Sequence, residues 1–189
     1  MEQHMNRFNT LRGFCREYQP NDADFLRDNP ETLEQIQEMD AIEPTSNQAI
    51  LLGLELVTGF LEDWFPDEVD EDEQDEVRTA LNEGYESIKE LKQKVLLEET
   101  HEKLKGTYKH FMPNEEVILE DFPPVKLKMN SLVSQQPSTN EEYLVYFSNA
   151  TSFMDDWFPD NLSESEQKEI RQIMDDVYKV MGELKKQIK

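Results

Sequence analysis

The sequence Glu62-Asp63-Trp64-Phe65-Pro66-Asp67 occurs twice in this chain of 189 residues, with one acid exchanged for another. The second occurrence is Asp155-Asp156-Trp157-Phe158-Pro159-Asp160, 93 positions later, and the chain contains no further tryptophan. When the chain is shifted against itself by 93 positions, 26 of the 96 aligned pairs are identical and no gap is needed. This agreement extends along the whole chain, so it indicates a tandem duplication.

The duplication predicts the domain organisation. We expect two copies of one unit, copy 1 at 1–96 and copy 2 at 97–189. Apolar residues recur every three or four positions, as in amphipathic helices, so the expected fold class is all-α with about four helices per copy. No proline or glycine lies between Lys94 and Lys105, so the last helix of copy 1 either continues into copy 2 or breaks near Thr100. Without a flexible linker, we expect the copies to pack about a pseudo-two-fold axis.

The most apolar segment of each copy lies just before the tryptophan. Copy 1 has a stripe at helical spacing with further apolar residues that widen it: Ile50, Leu54, Val57, Leu61 and Trp64, widened by Leu51, Leu52, Leu56 and Phe60. The copy 2 stripe is Tyr143, Phe147, Ala150, Met154 and Trp157. A helix that is apolar on most sides is buried, so we predict that it forms each core. We interpret the residues at its end as a structural corner: Trp64, Phe65, Pro66, Trp157, Phe158 and Pro159.

A further helix is predicted after the proline of each copy. Asp70 and Glu73 have the spacing of a capping box, and so do Ser163 and Glu166. One segment differs from this helical pattern, because residues 122–129 alternate between apolar and polar positions. That alternation predicts a short extended stretch in copy 2.

The charge of the chain limits its partners. The formal net charge is −23 at pH 7, while 10% of the residues are aromatic, which is typical of a folded acidic protein. Such a surface repels nucleic acid and anionic membranes. We therefore expect a basic surface of another protein as the partner, with no direct nucleic-acid binding and no membrane association. The alternative is that the acidity only keeps the protein soluble.

Cysteine content and the N-terminal sequence predict the compartment. Cys15 is the single cysteine, so an intrachain disulfide is impossible and a reducing compartment is expected. Residues 1–7 contain no apolar run like that of a signal peptide, and no apolar run is long enough to span a membrane. The sequence therefore predicts a cytoplasmic protein.

The acid run, which we define as residues 62–76, is the main functional candidate. It contains ten carboxylates and no basic residue, whereas residues 155–169 contain six carboxylates and Lys168. Residues 1–93 carry a net charge of −17 and residues 94–189 carry −6. This asymmetry favours a directed surface, although divergence after duplication is an alternative. The predicted partner-binding residues are Asp67, Glu68, Asp70, Glu71, Asp72, Asp75 and Glu76.

Signatures of enzymes and metal sites are lacking. The acid run has neither the spaced ligands nor the central glycine of an EF-hand loop. No glycine-rich phosphate loop occurs, the three histidines lack metal-ligand spacing, and Cys15 has no evident histidine partner. We therefore expect no enzyme activity, no cofactor and no metal site.

The favoured function is a non-enzymatic acidic binding protein that engages a basic protein surface, as an immunity-type inhibitor or a nucleic-acid mimic. One alternative is a structural or assembly protein whose acidity is only solubilising. A second alternative is an all-α, metal-dependent nucleotide hydrolase. Glu73-x-x-Glu76 and Glu166-x-x-Glu169 are similar to the Glu-x-x-Glu motif of all-helical, magnesium-dependent nucleotide pyrophosphohydrolases. The second acidic pair that such sites need is not evident in this chain.

Overall fold

The structure is a computed structural model, and it describes residues 1–65, 69–111, 123–156 and 162–188. These residues form eight helices and no strand, which confirms the all-α prediction. The helices are α1 Glu2–Tyr18, α2 Ala23–Asp28, α3 Pro30–Ala41, α4 Asn47–Trp64, α5 Glu71–Phe111, α6 Pro123–Ser134, α7 Asn140–Asp156 and α8 Glu164–Gln187. Several predicted residues lie outside the described part: Pro66, Asp67, Glu68, Trp157, Phe158 and Pro159.

The chain divides into two compact units, unit 1 at Met1–Val95 and unit 2 at Leu96–Lys189. Three helices of unit 1 have a counterpart that starts 93 positions later: α3 and α6 at Pro30 and Pro123, α4 and α7 at Asn47 and Asn140, and α5 and α8 at Glu71 and Glu164. The duplication and the pseudo-two-fold packing stay predictions.

Helix α4 forms the centre of unit 1, and α1 packs against it. Ser46 begins α4 as its cap and accepts the backbone N–H of Ala49 at 3.1 Å. The helix ends at Trp64, and its buried Thr58 hydroxyl donates to the carbonyl of Leu54 at 2.8 Å, so this hydroxyl is paired within the core. The core of unit 1 consists of Phe8, Leu11, Cys15, Met39, Ile50, Leu54, Val57, Phe60, Leu61 and Leu91.

Helices α7 and α8 form the centre of unit 2, together with α6 and part of α5. Ser163 and Glu166 form a complete capping box at the start of α8, as the sequence predicts. The largest buried side chains of α7 are aromatic, whereas α8 contributes aliphatic residues and methionines. They are Tyr143, Tyr146, Phe147 and Phe153 from α7, and Ile170, Ile173, Met174, Val177, Val180, Met181 and Leu184 from α8.

The predicted extended stretch at residues 122–129 is wrong, because α6 begins at Pro123. Proline suits the first turn of a helix, where no backbone N–H is needed for an intrahelical bond. Val125 and Leu132 are both buried, and seven positions bring them to the same side of a helix. Helix α5 continues through Thr100 without a break, so of the two alternatives that the sequence left open the structure shows the continuous helix.

Candidate partner-binding surfaces in unit 1

The aromatic residues at the end of α4 pack within unit 1. Trp64 is half-buried and contacts the ring of Phe25 edge-on, with centroids 5.4 Å apart. Phe65 is also half-buried and contacts Tyr18 edge-on at 5.1 Å. Both rings therefore join α4 to elements earlier in the chain rather than extend freely into solvent.

Two carboxylates of the acid run are bound by tyrosines of unit 1. The Tyr18 hydroxyl donates to Glu73, and the Tyr85 hydroxyl donates to Glu62. Burial, and then the bond to Glu73, raise the pKa of Tyr18, while burial and the bond to Glu62 raise the pKa of Tyr85 to about 12. Both phenols consequently stay protonated and remain donors at neutral pH.

Asp70 begins α5, because its Oδ1 accepts the backbone N–H of Glu73 at 3.1 Å. This is half of the predicted capping box, since the Glu73 side chain bonds to Tyr18 instead. Asp70 and Glu73 thus have structural partners, which makes them poor candidates for contact with another molecule. Sequence spacing alone could not reveal this, because Tyr18 lies 55 positions from Glu73.

Four predicted residues of the first two turns of α5 are exposed, and among the described residues their side chains make no hydrogen bond that holds the fold: Glu71, Asp72, Asp75 and Glu76. Asp70 is exposed as well, but it caps α5. Asp75 lies 3.7 Å from Arg78, a surface pair that contributes little to stability. Within the described part of the chain, Glu71, Asp72 and Glu76 form no ion pair. Asp67 and Glu68 lie outside the described residues, so the structure brings together four of the seven predicted residues as an open surface.

Apart from Arg78, several basic residues of unit 1 pair with acids away from this surface. Arg16 lies 2.6 Å from Asp40, and Lys92 lies 2.8 Å from Glu55. Further pairs are Arg7 with Glu83 and Glu86, and Arg27 with Asp24 and Asp28. These pairs leave the negative charge at the start of α5 largely uncompensated.

A second surface of unit 1 is a groove of about 630 Å³, which we call the α3–α4 groove; it is lined by Glu38, Ala41, Ile42, Leu52, Glu55 and Leu56. Leu52 is 59% exposed here, so its prediction as part of the buried stripe is wrong. Two residues after Ile50, a side chain lies about 200° around the helix axis from the buried face. Arg12 donates to the carbonyl of Ile42 at 3.3 Å, which fixes the end of the α3 wall.

Unit 2 has a related groove beside α7, with a volume of about 440 Å³. Its lining includes Gln135, Val145 and Asn149, which follow Ile42, Leu52 and Leu56 by 93 positions. Two of these three positions are therefore polar in unit 2 and aliphatic in unit 1. The sequence contains this difference between aliphatic and polar residues at equivalent positions. It points to a groove only when the structure shows that these positions lie side by side.

Unit 1 also contains a partly buried polar cluster between α1 and α5. Arg7 donates to the Ser87 hydroxyl at 2.9 Å, and Nδ1 of His4 lies 3.0 Å from the same oxygen. Nε2 of His4 lies 3.6 Å from Glu90. His4 therefore lies between a serine and a glutamate, an order that also occurs in nucleophilic active sites. Ser87 is nevertheless fully buried and accepts the Arg7 hydrogen bond, so its hydroxyl is not available to a substrate. Burial lowers the pKa of His4.

The Glu-x-x-Glu pairs do not converge on a metal site. Glu73 is bound by Tyr18, and Glu166 accepts the N–H and hydroxyl of Ser163 at 2.8 and 2.6 Å. In the described ranges, no three histidine, cysteine or carboxylate side chains form a group that could hold a metal ion. No helix in those ranges combines the length and the apolar character that crossing a membrane requires.

The chain was compared with protein-family models, with curated proteins and with solved structures. None of the three comparisons finds a match.

Proposed function

We propose that this chain is a non-enzymatic acidic protein that occupies a basic surface of another protein, as an immunity-type inhibitor or a nucleic-acid mimic. The observation that carries the proposal is the exposed group at the start of α5, where Glu71, Asp72 and Glu76 have no ion-pair partner within the described residues. These acids belong to the half of the chain with a net charge of −17.

The position of these acids suits an electrostatic interface. Asp72 and Glu76 are four positions apart, so they lie on one side of α5 about one turn apart. Their mutual repulsion costs the free protein a few tenths of a kcal/mol. A partner with arginine or lysine side chains would relieve that repulsion. Association through such charges is fast and weakens as salt is added.

We also propose that a tandem duplication produced the two units and that the protein acts in the cytoplasm. Equivalent hydrogen bonds support the duplication: Thr58 and Thr151 donate to the carbonyls four positions earlier, both at 2.8 Å. Tyr85 bonds Glu62 and Tyr178 bonds Asp155, each across 23 positions. The unpaired, buried thiol of Cys15 supports a reducing compartment.

Neutralisation of the exposed acids tests the function. The acid-run variant carries Glu71→Gln, Asp72→Asn, Asp75→Asn and Glu76→Gln. It retains Asp70 and Glu73, because those side chains have structural partners. The matched control removes four exposed acids from α8 through Glu164→Gln, Glu169→Gln, Asp175→Asn and Glu183→Gln.

Each tagged protein is used at low salt to recover partners from its native cells, and dissociation constants are then measured for the purified partner. We expect the wild type and the control to recover a protein with a basic surface that the acid-run variant does not recover. Raising the salt concentration should weaken that complex. Recovery of no basic partner, or equal affinity of the acid-run variant, would overturn the proposal. Competition by a DNA or RNA duplex would identify the nucleic-acid mimic.

A further inference from the structure

We infer that the α3–α4 groove of unit 1 binds an amphipathic helix of a partner protein, with aliphatic residues on the buried side and lysine or arginine on its flank. The inference rests on the proposed function, because it specifies which part of a basic partner is held. The groove then recognises the aliphatic side chains of the partner helix, and the acid run attracts the positive charge of the partner.

The floor of the groove is aliphatic and open to solvent. Leu52 is 59% exposed, while Ile42 and Leu56 are half-buried beside it. Leu52 and Leu56 are one turn apart on α4, and Ile42 follows the end of α3, so the three side chains form one continuous patch. In one recurring mode of recognition, the apolar side of an amphipathic helix binds in such an aliphatic groove.

Residues of α3 and α4 give the groove an acidic rim. Glu38 of α3 and Glu55 of α4 both line the groove. Glu55 lies 2.8 Å from Lys92, but this pair is exposed, so a partner cation can replace Lys92 at little cost. An aliphatic floor between carboxylates is complementary to a helix that carries aliphatic and basic side chains.

Unit 2 indicates that folding does not require this aliphatic floor. The residues 93 positions after Ile42 and Leu56 are Gln135 and Asn149, and the related groove is nevertheless formed. The positions of the two rim acids also differ, since their counterparts are Ser131 and Ser148, and the acids that line the unit 2 groove are instead Glu141 and Glu142 at the start of α7. The aliphatic pair Ile42 and Leu56 and the rim acids Glu38 and Glu55 thus occur together in unit 1 and are all replaced at the equivalent positions of unit 2, as expected for a binding property of unit 1.

Negative charge disfavours two other occupants of this groove, a second copy of the chain and an anionic membrane. A second copy of this chain would bring a net charge of −23 to a groove with an acidic rim. Repulsion between the two copies opposes that contact, and the same repulsion opposes an anionic membrane. A basic helix gains from the field that repels these alternatives.

The test uses a fluorescent synthetic peptide of about five helical turns, with leucine along one side and lysine elsewhere. Its control is a peptide of the same composition in which the leucines are distributed all around the helix. Binding to the full chain is followed by anisotropy at about 0.15 M salt. The groove variants are Leu52→Gln and the pair Ile42→Gln with Leu56→Asn, which installs the residues of unit 2. The matched control is Val145→Gln in unit 2.

We expect the amphipathic peptide to bind more tightly than its control. Leu52→Gln should weaken binding about tenfold, because an aliphatic side chain is no longer buried in the complex, and Val145→Gln should leave affinity unchanged. Circular dichroism should show unchanged helix content for Leu52→Gln, since Leu52 is exposed. Replacing both rim acids, Glu38→Ser with Glu55→Ser, should also weaken binding.

Equal binding of the two peptides, or equal effects of Leu52→Gln and Val145→Gln, would overturn the inference. A dimer in sedimentation that Leu52→Gln abolishes would overturn it in favour of a second copy as the occupant. Peptide binding that depends on the acid-run substitutions and not on the groove would also overturn it, while the proposed function stands. The two experiments can also disagree. If the acid-run variant recovers the same native partners as the wild type, that result overturns the proposed function alone. Peptide binding that depends on the groove still supports the inference in that case.

Discussion

Phe8 lies so close to Gly53 that a Cβ atom added to Gly53 would be 2.7 Å from Cε2 of the Phe8 ring. The residues 93 positions later are His101 and Tyr146, whose ring centroids are 4.5 Å apart. Unit 1 therefore places its large side chain on the first helix, whereas unit 2 places the larger ring on α7. The two units thus fill the equivalent position of their cores with different pairs of residues.

The contact predicts opposite effects for two glycines of α4. Gly53→Ala should lower the free energy of unfolding by about 1–2 kcal/mol, because the new methyl group forces Phe8 out of its packed position. Gly59→Ala should raise it by about 0.5–1 kcal/mol, because no atom lies within 4 Å of the added Cβ and alanine favours the helix. Urea unfolding followed by circular dichroism measures both changes, and changes of the same sign would contradict the contact.

Periodicity predicted the buried side of α4 correctly but not the groove beside it. Ile50, Leu54 and Val57 recur at helical spacing and are buried, so a one-dimensional pattern was sufficient for them. Leu52 is as apolar as these residues, but it lies about 200° around the helix from Ile50. Whether a neighbouring helix covers that side of α4 depends on tertiary packing, which no local pattern encodes. The same limit applies to Glu73, because its bond to Tyr18 joins residues distant in sequence. Exposure of the other α5 acids followed from charge alone.

The polar cluster around Ser87 predicts a strong effect of a small substitution. Ser87→Ala should lower the free energy of unfolding by about 1–3 kcal/mol, because Arg7 and His4 both lose the buried Ser87 hydroxyl as a hydrogen-bond partner. Urea unfolding at neutral pH measures the loss. Thr79→Ala on the exposed side of α5 serves as the control, with a change within about 0.5 kcal/mol.

Unit 2 supplies the matched replacement for this cluster. The residues 93 positions after His4 and Ser87 are Leu97 and Val180, both buried. The double variant His4→Leu with Ser87→Val should therefore lose less stability than Ser87→Ala, since apolar residues of suitable shape can replace a buried polar network. A double variant less stable than Ser87→Ala would contradict this expectation. It would show that the loss of polar partners for Arg7 costs more free energy than the new apolar contacts contribute.

His101 predicts how stability depends on pH. The side chain is 3% exposed, and burial lowers its pKa below the ordinary value of 6.5. The unfolded chain therefore binds a proton at His101 more strongly than the folded chain does. The contribution of His101 to the free energy of unfolding is therefore complete above pH 6.5 and declines as the pH falls below 6.5. It is fully lost once the pH lies below the pKa of His101 in the folded chain. The slope is at most about 1.4 kcal/mol per pH unit for one proton.

Urea unfolding at a series of pH values from neutral to mildly acidic measures this decline. His101→Leu should reduce the slope, because leucine has no proton to bind. Burial also lowers the pKa of His4, so part of the decline remains in that variant and becomes smaller when His4→Leu is added. If the slope of the free energy of unfolding against pH is unchanged in both variants, His101 and His4 do not cause the decline.

Cys15 reports on the opening of unit 1. Its side chain is fully buried, its Sγ donates to the carbonyl of Val57 at 3.4 Å, and burial raises the pKa of the thiol to about 12. The thiolate is the form that reacts with alkylating reagents, so the folded protein should react only when unit 1 opens. We expect labelling of the native protein to be slower than labelling in urea by several orders of magnitude, measured by mass spectrometry.

The labelling rate connects the packing of Phe8 to the stability of unit 1. When opening and closing are faster than the reaction, the rate follows the population of the open form, and each 1.4 kcal/mol lost accelerates labelling about tenfold. Gly53→Ala should therefore label faster than the wild type, and Gly59→Ala should label at the same rate or more slowly. Acceleration by Gly59→Ala alone would show that Cys15 is exposed by a motion that does not disturb the contact between Phe8 and Gly53.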